Sequence, residues 1–138
     1  MKADDKPWLT EPNDVLFMTD AGYPAQIRRN LMTLTLCGYI YLPVGHPLHG
    51  VEYSFFGYDA VDVHGGWTYA DSEGEAWCVG FDCNHLYDYA PGMAPRLNEH
   101  GEDRTKYRTI EFVTKELERT AKQFKAMEKA NEEIHRAS

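Results

Sequence analysis

The chain has 138 residues, 43% of them hydrophobic, and a formal net charge of −8, which suits one globular domain hiding roughly two-thirds of its unfolded surface. No run of about 18 apolar residues occurs, so a membrane-spanning helix is excluded. Three cysteines, an odd number at unremarkable spacing, argue for reduced thiols in the cytoplasm and against a disulfide framework.

Residues 1–14 are polar, carry Pro7 and Pro12, and read as a mobile arm that Trp8 pins to the surface. The charged start, Met1 to Lys6, lacks the apolar stretch of a secretory signal. Residues 15–138 read as one α+β domain, a small and mostly antiparallel sheet with a long C-terminal helix packed on one face. The sheet pattern begins at Ala25. Thr33 to Leu42 alternates, with Leu34, Leu36, Ile40 and Leu42 on one face and Thr33, Thr35, Tyr39 and Tyr41 on the other, until Pro43 stops it. Gly45 to Gly50 is a loop by composition. Strands are expected near 51–56, 59–64, 67–70 and 76–82, with Asp71–Glu75 as a hairpin turn. In the last of them Trp77, Val79 and Phe81 share one face while Cys78, Gly80 and Asp82 share the other. Residues 89–104 form a long connection. A helix over about 105–135 follows from the apolar seam Ile110, Val113, Leu117, Ala121, Phe124 and Met127, with Asp103 or Thr105 as its cap. Glu-first pairs at four-residue spacing (111/115, 118/122, 132/136) support it. About 30 residues at 1.5 Å each span roughly 45 Å, more than the roughly 40 Å diameter of a compact domain this size. The overhang either frays or docks Phe124, Met127 and Ile134 on a second copy, a possible homodimer.

Charge is unevenly placed. Residues 1–105 hold 6 Lys/Arg against 16 Asp/Glu, while residues 106–138 hold 8 against 6. No Lys or Arg occurs between Arg29 and Arg96. That argues against direct nucleic-acid binding, and it implies that an anionic ligand there arrives with a cation or rests on backbone amides. A basic protein partner fits the same pattern.

Chemistry concentrates between His64 and Asp88. Asp82, His85 and Asp88 lie at i, i+3 and i+6 just past a strand, and His64 ends its neighbour. Imidazole and carboxylate together suit a divalent metal, with His64, Asp82 and His85 as ligands. The same four residues, His64, Asp82, His85 and Asp88, equally suit a His–Asp acid/base pair as catalytic groups, or a polar turn whose carboxylates accept backbone N–H bonds. Cys78 and Cys83 are too awkwardly spaced within one strand to make a good zinc pattern. Gly65 and Gly66 permit close backbone approach. His46 and His49 flank Pro47 and would close over the pocket, or simply form an extended turn. Ten of the eighteen aromatic residues fall within 53–89; of these Tyr69, Tyr87 and Tyr89 are the better ligand-facing choices, the rest serving as core. No phosphate-binding loop, dinucleotide fingerprint or serine elbow occurs.

Three segments, Gly45-His46-Pro47-Leu48-His49-Gly50, Val63-His64-Gly65-Gly66-Trp67-Thr68-Tyr69 and Gly80-Phe81-Asp82-Cys83-Asn84-His85, resemble a family of small uncharacterised proteins of phages, prophages and some bacteria. The helix opening Tyr107-Arg108-Thr109-Ile110-Glu111 is similar too, so the resemblance covers roughly residues 25–125. It carries no activity with it. It implies the cytoplasm of a host for a phage-encoded chain, and an anti-defence role as one context. Two functional expectations result. One is a pocket binding a divalent metal or a small polar, nucleotide-derived ligand and hydrolysing it with metal assistance. The other is a non-catalytic acidic inhibitor of a basic host protein that handles nucleic acid or defence.

Overall fold

A computed structural model describes residues 6–55 and 57–137. Residues 1–5 of the expected arm, Phe56 of the expected strand 51–56, and Ser138 lie outside the described residues. Five strands, β1 (Asp14–Met18), β2 (Pro24–Arg29), β3 (Leu36–Leu42), β4 (Tyr69–Glu73) and β5 (Ala76–Asp82), are followed by one helix, α1 (Ile110–Ala137). The sheet order is β1-β2-β3-β5-β4 and every pairing is antiparallel. The α+β expectation is met. No helix among the described residues is long and apolar enough to cross a membrane.

The core lies between one sheet face and α1. Leu36, Ile40 and Leu42 of β3, Val79 and Phe81 of β5, and Val113, Leu117, Ala121 and Phe124 of α1 are all buried. This is the alternation in the strands meeting the three-and-four spacing in the helix. The opposite face, carrying Cys37, Tyr39, Tyr41, Gln26, Arg28 and Asp82, receives no helix.

Four local expectations are corrected. Leu34 is not on a strand: Asn30 Oδ1 accepts the N–H groups of Met32 and Thr33 at 2.9 and 3.1 Å, and Leu34 turns left-handed at φ 62° before β3 begins. Among the described residues of 43–68 no strand forms, and β4 starts at Tyr69. Side-chain donors fold that segment instead, the Trp67 indole to the Val61 carbonyl at 2.9 Å and the Tyr58 hydroxyl to the Val51 carbonyl at 2.6 Å. The hairpin turn contracts to Gly74-Glu75, because Asp71, Ser72 and Glu73 pair with β5. The cap of α1 is Thr109, whose Oγ1 accepts the Phe112 N–H at 3.1 Å. Asp103 and Thr105 bond one another five residues upstream.

From Lys6 on, the N-terminal segment is tied down. Trp8 packs on Tyr89 and Tyr107 with ring centroids 5.5 and 5.1 Å apart. Glu11 accepts both the Tyr107 hydroxyl at 2.6 Å and the Ile110 N–H at 2.8 Å. A carboxylate there meets an orphan donor and the positive end of the helix dipole together. At the other end of the helix Ile134 is 67% exposed.

Candidate functional site

The turn after β5 brings Asp88 back under His85, with the Asp88 N–H donating to the His85 carbonyl at 2.9 Å. Residues 87–89 then bridge to Lys106, whose N–H donates to Tyr87 and whose carbonyl accepts from Tyr89. That bridge brings Arg108 beside Asp88. His64 arrives from the segment between β3 and β4, its N–H donating to Glu116 Oε1 of α1 at 3.0 Å. Arg119 in turn holds Glu116 at 2.9 Å.

Asp88 is the hub of the cluster. Its side chain is 1% exposed and accepts four groups. His64 Nε2 lies 2.9 Å from both carboxylate oxygens. The His85 N–H and Nδ1 reach Oδ2 at 3.0 and 3.1 Å, and Arg108 Nε reaches Oδ1 at 2.8 Å. Burial alone would raise the Asp88 pKa, but the bonds from His64, Arg108 and the His85 backbone outweigh it and hold the carboxyl below its ordinary range. The His64 ring stands edge-on to His85 and to Phe112, 5.5 and 5.1 Å away. The Arg108 guanidinium lies 5.0 Å above the Phe112 ring.

Gly65 makes this arrangement possible. Its φ is +71°, and a Cβ there would sit 2.1 Å from His85 Cε1. Backbone therefore packs directly against the imidazole, as the Gly-Gly reading anticipated. Gly66, also at positive φ, has open space where its Cβ would be.

The structure brings His64, His85 and Asp88 together, with one donor atom from each within 4.8 Å of the others. Asp82 stands outside this trio. Its Oδ1 lies 3.5 Å from His85 Nε2, so it touches the ring nitrogen facing away from Asp88. The expected metal set of His64, Asp82 and His85 thus becomes His64, His85 and Asp88, with Asp82 one shell out. Asp88 does not suit the expected role of a base, because its carboxyl is buried and held below its ordinary range.

The expected lid is elsewhere. His46 is buried against α1, its Nε2 donating to the Phe124 carbonyl at 2.9 Å while Nδ1 accepts the Leu48 N–H at 3.1 Å. His49 donates to the Glu75 carbonyl at 2.8 Å beside Trp77. Both tie the segment between β3 and β4 onto the domain, and their hydrogen bonds go to Phe124, Leu48 and Glu75 and not to the trio. Tyr87 is 68% exposed and offers the cluster no ring contact. Tyr69 lies on the helix-free face, edge-to-face with Tyr39 at 5.7 Å. Cys78 and Cys83 are buried apart from the metal-capable trio, burial pushing the Cys78 thiol up to about 11.

Two cations enter that the sequence reading had excluded. Arg108 and Arg96 lie outside the cation-free span, yet one binds Asp88 and the other donates to the His85 carbonyl and to Asn84 Oδ1. Guanidinium groups from outside the span therefore stand beside the cluster, in addition to the bound cation or backbone amides expected to meet an anion there. Neither arginine's pairing has a signal in the sequence. No protein-family model matches the chain, and neither a curated protein nor a solved structure matches it.

Proposed function

We propose that His64, His85 and Asp88 hold a divalent transition-metal ion, and that the protein uses it to bind a small polar ligand, with metal-assisted hydrolysis as the reaction class. The carrying observation is the convergence of two imidazoles and one carboxylate, from two separate stretches of chain, within 4.8 Å. Two histidines with one carboxylate suit zinc, iron or manganese, and three protein ligands leave positions open for water and ligand.

The surroundings fit that use. An ion would take His85 Nδ1 in place of its hydrogen bond to Asp88, leaving Asp82 3.5 Å from Nε2; a carboxylate on the distal nitrogen is the usual way a ligating imidazole is oriented. The depressed Asp88 carboxyl stays ionised, as a ligand must. Arg108 occupies Oδ1 and offsets charge on that side. His64 and His85 are 19% and 31% exposed, so ligand reaches the trio from their solvent side. An ion bound there supplies a Lewis acid and brings a bound water toward a pKa of about 7.

The test is elemental analysis and calorimetric Zn²⁺ and Mn²⁺ titration of chain purified without an affinity metal. One ion per chain is expected, lost in His64→Ala and in His85→Ala while circular dichroism stays native. Affinity should weaken as pH falls and protons compete for the imidazoles. Metal uptake unchanged in both variants would refute the assignment.

A further inference from the structure

The helix-free face carries a second site with different chemistry. Between the β2–β3 turn and the start of β4 lies a cleft of about 400 Å³. Asp82 is its single charged lining residue, and no Lys or Arg lines it. Its floor is aromatic: Tyr39 lies across Gly80, where a Cβ would come within 2.6 Å of the ring, and Tyr69 packs against Tyr39. Both phenols are protonated at neutral pH, their values raised further by desolvation, and their π faces attract cations.

The charge in the cleft is one-sided. The Thr68 hydroxyl donates to Asp82 Oδ2 at 3.2 Å. One of the Thr33 and Thr35 hydroxyls donates to the other across 2.6 Å. Asp82 Oδ1 accepts the Asn84 N–H at 3.0 Å, and the carboxylate side chain remains 32% exposed with accepting capacity left. The cleft therefore combines one negative charge, a carboxylate that still accepts, and aromatic faces, with no Lys or Arg in its lining. A guanidinium matches all of these, being planar, permanently charged and furnished with five donors. At the rim the Arg96 guanidinium reaches Asn84 Oδ1 at 3.4 Å.

We propose that this cleft is a binding site for a guanidinium-bearing ligand, with Asp82 as its counter-ion and Tyr39 and Tyr69 as its aromatic wall. Asp82 is shared with the trio through its contact to His85, whereas His64 takes no part in the cleft.

The probe is N-butylguanidinium against its neutral near-isostere N-butylurea, titrated into the full chain and followed by amide chemical shifts. Shifts are expected at Thr35, Thr68, Tyr69, Asp82 and Asn84. The cation should bind about tenfold tighter than the urea, the scale of one charge-assisted hydrogen bond. Asp82→Asn should abolish that preference, Tyr69→Leu should weaken the cation several-fold, and His64→Ala should change nothing. Arg96→Gln should strengthen binding by removing a competing cation. A glycyl-arginyl-glycine peptide binding tighter than the free cation would place the group on a polypeptide, and equal affinity on a small molecule. Equal binding of urea and cation, an Asp82→Asn variant that keeps the preference, or shifts confined to other surfaces would overturn the proposal.

Discussion

Replacing Asp88 with Asn tests the hub most directly. The side chain keeps its shape but loses the charge opposite Arg108, and its amide presents a donor where Oδ2 accepts from His85 at 3.0 Å. Removing one member of a buried, hydrogen-bonded ion cluster costs roughly 3–5 kcal/mol. Arg108 is 20% and His85 31% exposed, so both recover some hydration and the lower end, about 3 kcal/mol, applies. For a chain of 138 residues, an unfolding entropy of about 2.1 cal/mol/K per residue turns that into a Tm lowered by roughly 10 °C at pH 7. The pH dependence adds a sign. Because the folded Asp88 carboxyl is depressed, its stabilisation is fully present above the unfolded value of about 3.9 and is lost as pH falls through the lower folded value. The gap between wild type and Asp88→Asn should therefore close as pH drops below about 4. Thermal unfolding followed by circular dichroism between pH 7 and pH 3 reads both effects. A Tm shift under about 3 °C, or a gap independent of pH, would refute the account of Asp88 as the charge that organises the cluster.

Gly65→Ala should cost about 1–3 kcal/mol through backbone strain at φ +71° and should displace the His85 ring; the check is zinc affinity alongside Tm, and native affinity would count against the packing argument. Thr109→Ala should lower stability by about 1 kcal/mol through loss of the α1 cap, whereas Thr105→Ala should change chemical denaturation far less. His46 is held neutral chiefly by burial, its pKa lowered, so stability present above about 6.5 should fall as pH drops through that range. Urea midpoints of wild type and His46→Gln between pH 8 and pH 5 should differ in slope, and parallel curves would exclude His46 as the source.

Periodicity found what periodicity controls. The α1 seam and the two faces of β5 were readable because burial on one side imposes a repeat on the residues themselves. Residues 43–68 defeated the same reasoning. Their aromatic density looks like strand, but the Trp67 and Tyr58 side chains take up backbone carbonyls and bend the segment into turns. Leu34 was misread because Asn30, four residues earlier, captures two N–H groups and ends the alternation.

For the site, the residue types and the glycine beside them were legible, and the partners were not. His64, His85 and Asp88 stand out as chemistry-bearing groups near chain turns. Which carboxylate the histidines share depends on the loop after β5 folding under His85, and on the bridge to Lys106 that brings Arg108 in from 20 residues away. His46 and His49 have the composition of a lid, yet burial against α1 and pairing with the Glu75 carbonyl take them elsewhere. Local sequence set the fold class, the core faces and the candidate groups, because those follow from short-range repeats and side-chain chemistry. Tertiary structure alone determined the trio, its arginine and the acceptor-lined cleft, because each is a meeting of groups far apart in the chain, made when the sheet and helix close on their core.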